Sequence, residues 1–282
     1  MKLETAIYDA YQKLKNNDIK SAMLDSELLM SNAINESREF IILNLDKTIC
    51  TKDFDNFQNM VSQRKDGKPM AYLMSKKFFW KYEFFINKYV LIPRPDTEII
   101  IEQVLKMYKN KKNINLLDIG FGSGCIMLSV LKERRDFRAT GVDISNHALK
   151  VCKINAYRLG VKSRVKLFNS DIDKFTLGKY DLIISNPPYI KNSDLRYLEK
   201  DVKNFEPKIA LDGGLDGKSE IRKVIKKSSE LIKYGGKLIL EIAYDQKKEV
   251  KQLLKKNGFY VNSIIKDFAK NDRCIISTKL EK

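Results

Sequence analysis

Apolar residues recur at helical spacing from the start of the chain. Leu3, Ala6, Ile7, Ala10, Tyr11 and Leu14 form one such stripe, and Met23, Leu24, Leu28, Leu29 and Ile34 form another after Asp18. Phe54, Phe57, Met60 and Val61 mark a further helix, with Asp53 as its candidate cap. These stripes predict a small helical bundle over residues 1–66, and nothing in it resembles a catalytic set. From Gly67-Lys68-Pro69 the pattern becomes aromatic and extended: Tyr72, Phe78-Phe79-Trp80, Phe84-Phe85-Ile86, then Val90-Leu91-Ile92. Short strands in a hairpin-like linker over 67–92 are expected there.

A regular alternation follows over 93–282. Pro93-Arg94-Pro95-Asp96-Thr97-Glu98 leads into a helix, with Asp96 or Thr97 as candidate cap. Apolar strand runs are expected at 114–119, 139–142, 165–168, 180–185, 236–242, 260–265 and 273–278, with helices between most of them. Only a short loop separates the last two, so they are expected to be antiparallel. The predicted fold is α/β, a seven-stranded Rossmann-like sheet preceded by the helical domain and the β linker.

Four loops at strand ends carry the candidate chemistry. Asp118-Ile119-Gly120-Phe121-Gly122-Ser123-Gly124 joins a strand to a helix, so its glycines allow a ligand close to backbone N–H groups at a helix start. Asp143 closes the next strand, where an acidic residue can accept from both hydroxyls of a ribose; a tight turn and a helix cap would use the same residues. Asp171 can accept from an adenine amino group with Ile172 against the ring, or it can simply start a turn. Leu182 to Ile190 is an apolar strand stopped by Asn186-Pro187-Pro188-Tyr189. The Asn oxygen and the Pro carbonyls make a cluster of acceptors suited to a planar NH2 group, and Tyr189 can lie on its flat face. Ligands of open α/β sheets bind beyond the carboxyl ends of strands, so all four loops are expected to face one crevice.

Composition narrows the picture. No apolar run approaches the roughly 18 residues that cross a bilayer, and Met1-Lys2-Leu3-Glu4 lacks a signal peptide's apolar core, so a cytoplasmic protein without membrane attachment is expected. Cys50, Cys125, Cys152 and Cys274 have no metal-ligand spacing and read as structural thiols; no metal is expected, and the lone His147 is assigned no chemistry. The net charge is +17, and residues 1–85, with 13 Lys/Arg and 12 Asp/Glu, contribute only +1 of it. A basic second part favours encounter with acidic partners, though a lysine-rich proteome would give the same number.

The glycine loop lacks the Lys-Ser/Thr of a phosphate-binding loop, which argues against a nucleoside triphosphatase. A nicotinamide cofactor calls for a base or metal that the chain does not display. S-adenosyl-L-methionine fits better, because its sulfonium carries an activated methyl and the enzyme's task is alignment. The planar acceptor is then a carboxamide or the amino group of adenine.

These residues together resemble the protein-(glutamine-N5) methyltransferases of the PrmC/HemK family, over nearly the whole chain: the helical domain, Gly67-Lys68-Pro69 with Tyr72, Leu91 to Glu98, Asp118 to Gly124, Asp143-Ile144-Ser145, Asn186 to Ile190, Glu206-Pro207, Gly213-Gly214 with Asp216-Gly217, and Asp272-Arg273. Phe121, Ser75, Ala243 and Ile172 depart from common choices of that family. The resemblance implies a class I methyltransferase sheet. It also implies that Gly120, Phe121, Gly122, Ser123, Gly124, Asp143, Asp171, Ile172 and Asn186 bind S-adenosylmethionine. Asn186, Pro187, Pro188 and Tyr189 would hold the target glutamine, with Asn186, Pro187 and Tyr189 catalytic. The implied partners are class I peptide chain release factors, modified on the Gln of their Gly-Gly-Gln motif and docked by the helical domain. A monomer with no nucleic-acid substrate is expected. A glutamine methyltransferase for a ribosomal protein, an adenine-N6 DNA methyltransferase, and a basic RNA-binding module with a vestigial cofactor fold are the rivals.

Overall fold

The protein, described here from a computed structural model over residues 1–281, divides into two compact units. The first holds Met1–Lys76 together with Lys200–Phe205, and the second holds Lys77–Glu199 with Glu206–Lys282.

In the first unit the apolar stripes fold as helices Leu3–Lys15, Ala22–Ile34, Arg38–Leu43 and Thr51–Lys65, with a single turn at Met70–Leu73. Leu3, Ala6, Ile7, Ala10 and Leu14 bury against Leu29, Met30, Phe57 and Val61. Ser37 caps the short third helix by accepting from the Phe40 N–H at 3.1 Å. Cys50, not Asp53, stands at the start of the fourth helix. The segment Lys200–Phe205 is a short helix of this unit, although it lies 124 residues beyond Lys76 in the chain.

A hairpin of β1 (Lys76–Phe79) and β2 (Tyr82–Phe85) stands at the start of the second unit, the first residue of β1 being the last of Met1–Lys76. The hairpin is bonded into this unit. Glu133 accepts from Trp80 Nε1 at 2.8 Å and from the Tyr82 hydroxyl at 3.0 Å, and Asn155 exchanges bonds with both backbone groups of Phe85. Two expected strands are absent: Tyr72 lies in the short helix, and Val90–Ile92 is irregular. Ile92 gives its N–H to the Glu206 carboxylate and Pro93 has none to give, so no neighbouring strand can pair there.

Seven strands make the main sheet: β3 (Asn115–Ile119), β4 (Arg138–Asp143), β5 (Val165–Asn169), β6 (Tyr180–Ser185), β7 (Ile232–Glu241), β8 (Phe259–Lys266) and β9 (Asp272–Lys279). Their order is β5-β4-β3-β6-β7-β9-β8; the first five run parallel, and β9 is antiparallel to both neighbours. The fifth strand of this sheet begins at Ile232, four residues before its expected start, because an irregularity between Tyr180 and Leu182 lets the pairing skip from Ile232 to Lys237. Leu117, Ile119, Ile183, Leu238 and Leu240 bury one sheet face under Ile221, Val224 and Ile225 of helix Ser219–Leu231 and Val250 and Leu254 of helix Lys247–Lys256. Leu116, Leu182, Ile184 and Ile239 are also fully buried, so these strands read as continuous apolar runs.

The order sets the site. The chain winds outward from β3 through β4 to β5, then returns to place β6 on the other side of β3. The crevice therefore opens beyond the carboxyl ends of β3 and β6. Register makes the alignment close: Ile119 pairs with Ser185 and with Val142, and Asp143 pairs with Asn169. The Ser185 hydroxyl donates to the Ile119 carbonyl at 2.7 Å, tying the two strand ends together where the glycine loop and the Asn-Pro-Pro-Tyr loop begin.

Candidate active site

A cavity of about 700 Å³ lies at this strand crossing. Gly120, Phe121, Gly122, Ser123, Asp143, Asp171, Ile172, Asn186, Pro187 and Pro188 all line it. Two of the sequence-read residues do not. Gly124 sits behind the wall, and Tyr189 turns into the sheet, where its hydroxyl donates to Glu241 Oε1 at 3.2 Å.

The glycine loop is shaped by contacts on its far side. Gly124 has φ of +80°, and a Cβ there would stand 2.5 Å from Cys152 Sγ and 2.8 Å from a Leu128 methyl, so a glycine is required. A Cβ on Gly120 or Gly122 would meet nothing within 4 Å, leaving their backbone open to the cavity. Phe121 is buried against the bare Cα of Gly141 on β4.

Asp143 accepts from the Gly122 N–H and the Ser145 N–H, both at 2.9 Å, one on each carboxylate oxygen. Burial raises its pKa, against the pull of these two bonds. Each oxygen keeps a lone pair for a hydroxyl in the cavity. Ser145, not Asp143, caps helix Asn146–Arg158 through Ala148 N–H. His147 in that helix stacks on Tyr89, a cavity residue, with ring centroids 4.0 Å apart. Asp171 Oδ1 accepts from Asp173 N–H at 3.0 Å, the turn-starting role, while the residue still faces the cavity. Glu220 and Lys223, paired at 2.8 Å, lie on the same wall.

At the other end Asn186 Nδ2 donates to Thr97 Oγ1 at 3.3 Å, which leaves Oδ1 for a ligand. Thr97 makes no cap bond to its own helix, contrary to the expectation for that position. The loop beyond Tyr189 folds back: Ile190 bridges Asp212, and Gln246 Nε2 donates to the carbonyls of Tyr189 (3.1 Å) and Gly217 (2.9 Å). Gly217 must lack a Cβ, which would stand 2.6 Å from the Tyr189 carbonyl oxygen. Arg94, on the cavity wall, pairs with Glu206, whose other oxygen accepts from Ile92 N–H at 3.2 Å. Glu98 accepts from the Trp80 N–H at 2.7 Å and serves the hairpin.

Sequence reading assigned no role of their own to two buried acids. Asp118 is 1 % exposed with neither oxygen hydrogen-bonded, and burial pushes its pKa up to about 8. Glu241 is 2 % exposed, and burial raises it to about 7. The available signal was a carboxylate at the end of an apolar strand, Leu238-Ile239-Leu240-Glu241. The four cysteines are free thiols. Among the described residues no group of His, Cys, Asp and Glu could hold a metal, and no helix is long and apolar enough to cross a membrane.

Comparison with known proteins agrees with this layout. A family model described as the PrmC N-terminal domain matches residues 5–74, and one described as the methyltransferase small domain matches 96–202. A release factor glutamine methyltransferase of Clostridium acetobutylicum is 36% identical over 99% of both chains. One of Caulobacter vibrioides is 33% identical over 96% of this chain and 94% of its own. A methyltransferase structure from Pyrococcus furiosus superposes with a TM-score of 0.55 at 20% identity, covering 80% of this chain and all of that one, which is a likeness of fold. With both domain models in order and near full-length identity above 30%, this chain belongs to the release factor glutamine methyltransferase family.

Proposed function

We propose that this protein transfers a methyl group from S-adenosyl-L-methionine to the side-chain amide nitrogen of the glutamine in the Gly-Gly-Gln motif of class I peptide chain release factors. The observation that carries the reading is the Asn186 amide, tied by Nδ2 to Thr97 with Oδ1 left toward the cavity beside Pro187.

The cavity suits the cofactor on three counts. It has the volume for a nucleoside with an amino-acid tail, bare glycine backbone at one wall, and a carboxylate with spare lone pairs at Asp143. When bound, S-adenosylmethionine supplies a methyl group already activated by its positive sulfur. Asp143 would hold the ribose hydroxyls, Gly120 to Ser123 would receive the amino-acid tail, and Asp171 and Ile172 would flank the adenine.

An amide nitrogen is a weak nucleophile because its lone pair is delocalised. Asn186 Oδ1 and the Pro187 carbonyl would accept its two N–H bonds, turn the lone pair toward the methyl, and stabilise positive charge as it develops on nitrogen. The proton that the amide nitrogen must lose on methylation would pass to water, since among the described residues no titratable side chain is hydrogen-bonded to Asn186. Rate comes from alignment in a site whose lining includes Pro188 and Ile209. The helical unit is proposed to dock the release factor, with the enzyme acting as a monomer in the cytoplasm.

Labelled methyl transfer to purified unmodified release factor, ribosomal proteins and duplex DNA in parallel tests this, with mass spectrometry locating the modified atom. Label on the Gly-Gly-Gln glutamine is expected. Label confined to another protein or to adenine overturns the substrate, and no label overturns the activity.

A further inference from the structure

Positive charge is left uncompensated at the antiparallel end of the sheet. Helix Lys247–Lys256 buries Val250 and Leu254, and with about 3.6 residues per turn its opposite face presents Lys248, Lys251, Gln252 and Lys255. Together with Lys247 these residues line a shallow groove of about 340 Å³ to which no apolar residue contributes. The side chains of Lys248, Lys251 and Lys255 have no ion-pair or hydrogen-bond partner among the described residues. The nearby aspartates are already engaged: Asp245 pairs with Lys191 at 3.1 Å, Asp267 with Arg273 at 2.9 Å, and Asp272 with Lys247 at 3.0 Å and Lys266 at 3.3 Å. Glu249, the one acid of the helix, lies about 100° around it from Lys248 and further from Lys251 and Lys255.

An aromatic ring stands beside the groove. Asp272, the first residue of β9, holds both Lys247 at the start of the helix and Lys266 at the end of β8. The turn between these two strands is therefore fastened next to the helix, and its Phe268 is 94 % exposed. That exposure is built in. Asp267 accepts from the Asn271 N–H at 2.8 Å and from Arg273 Nη2 at 2.9 Å, and its own N–H donates to the Asn271 carbonyl at 2.9 Å. Tyr244, three residues before the helix, is a second exposed ring.

We infer that this face binds single-stranded nucleic acid, with Lys248, Lys251 and Lys255 along the phosphates and the Phe268 ring stacked on a base. A basic groove beside an exposed ring suits a single strand, because every nucleotide brings a negative charge and every base a flat face. A duplex would keep its bases stacked on one another and away from Phe268. A protein partner fits less well: lysine is depleted at protein–protein interfaces, and this groove offers no apolar side chain to bury at the centre of one. None of these residues lines the cavity, so the surface is independent of the methyl-transfer reading.

The test titrates the full-length protein into fluorescein-labelled single strands of about 12 nucleotides, as RNA and as DNA, at about 50 to 200 mM salt, and reads anisotropy. The log of the association constant should fall linearly with the log of the salt concentration. Replacing Lys248→Gln, Lys251→Gln and Lys255→Gln together should weaken binding by about tenfold or more and make that slope shallower by about 2, roughly 0.7 for each lost phosphate contact. Phe268→Ala should weaken binding by about fivefold or more with the slope unchanged, since a stacked ring releases no counterions. Both variants should keep the wild-type thermal midpoint, because they alter only surface side chains. Polyglutamate, the probe for an acidic protein partner, should bind about tenfold more weakly than the oligonucleotides and be indifferent to Phe268→Ala. Binding of either strand with both signatures bears the inference out, and the tighter of the two identifies the source. No binding by the wild type at about 50 mM salt, a triple variant with the wild-type slope, or an indifferent Phe268→Ala overturns it. Polyglutamate bound as tightly as the oligonucleotides overturns it in favour of an acidic protein.

Discussion

At the end of the cavity proposed for the cofactor, Asp143 is gripped by backbone N–H groups two and 21 residues away. At the acceptor end Asn186 is held by Thr97, 89 residues distant, Tyr189 by Glu241 at 52, and Arg94 by Glu206 at 112. The first end is a local construction of one strand-loop-helix unit and the strand beside it. The second is assembled from the lead-in to the first helix of the sheet domain, the loop after β6, and the end of β7. The proposed binding and orienting roles thus fall to parts of the chain with different dependence on the global fold, and substitutions can separate them.

The widest separation should come from Asn186→Ala. Removing the one side-chain acceptor is expected to lower kcat by about 10²–10³-fold, the scale of a preorganised polar group at a reacting centre. Cofactor affinity should stay within a few-fold. Single-turnover methyl transfer beside calorimetric titration reads both, and a matched loss in the two would mean that the ends are not independent.

Gly124→Ala probes the cofactor end from behind. Overpacking against Cys152 and Leu128, added to a φ of +80°, should cost about 3 kcal/mol of stability in urea unfolding. Gly120→Ala has a φ of +75° but open space, and should cost about 1 kcal/mol. Equal losses at both positions would show that backbone strain, not packing, dominates there.

Asp143→Ala should weaken cofactor binding by about 1.5–3 kcal/mol, a hydrogen bond to a charged group, with kcat at saturating cofactor nearly unchanged. Unaltered affinity would remove Asp143 from the ribose and leave it the loop-holding role seen in its bonds to Gly122 and Ser145.

A test of a different kind, read in stability against pH, lies beneath the glycine loop, at Asp118. Its folded-state pKa of about 8 is above the ordinary 3.8, so the folded protein holds the proton more tightly than the unfolded chain does. Stability should therefore fall as pH rises from about 4 to about 8, by roughly 1.4 kcal/mol per pH unit at most, and Asp118→Asn should flatten that slope. Urea midpoints at pH 6, 7 and 8 for both proteins measure it. A wild-type curve as flat as the variant's would mean the buried carboxyl is ionised and compensated.

The sequence by itself determined the elements whose signal is local. Apolar stripes, strand runs, the glycine loop and the proline stop each lie within about a dozen residues, and periodicity follows directly from backbone geometry. Ten of the residues singled out as site candidates line one cavity for the same reason: each sits at or just beyond a strand's carboxyl end, and parallel strands put those ends on one side. What only the tertiary structure decided was strand order and everything that depends on it. Nothing local says that β6 returns beside β3, that Thr97 serves Asn186 in place of its own helix, or that Tyr189 turns inward to Glu241 and away from the cavity. Val90–Ile92 shows the same limit, since an apolar run becomes a strand only where a partner strand is present to take its hydrogen bonds. A side-chain hydrogen bond across 89 residues leaves no periodic trace, because it costs the chain only one residue at each end.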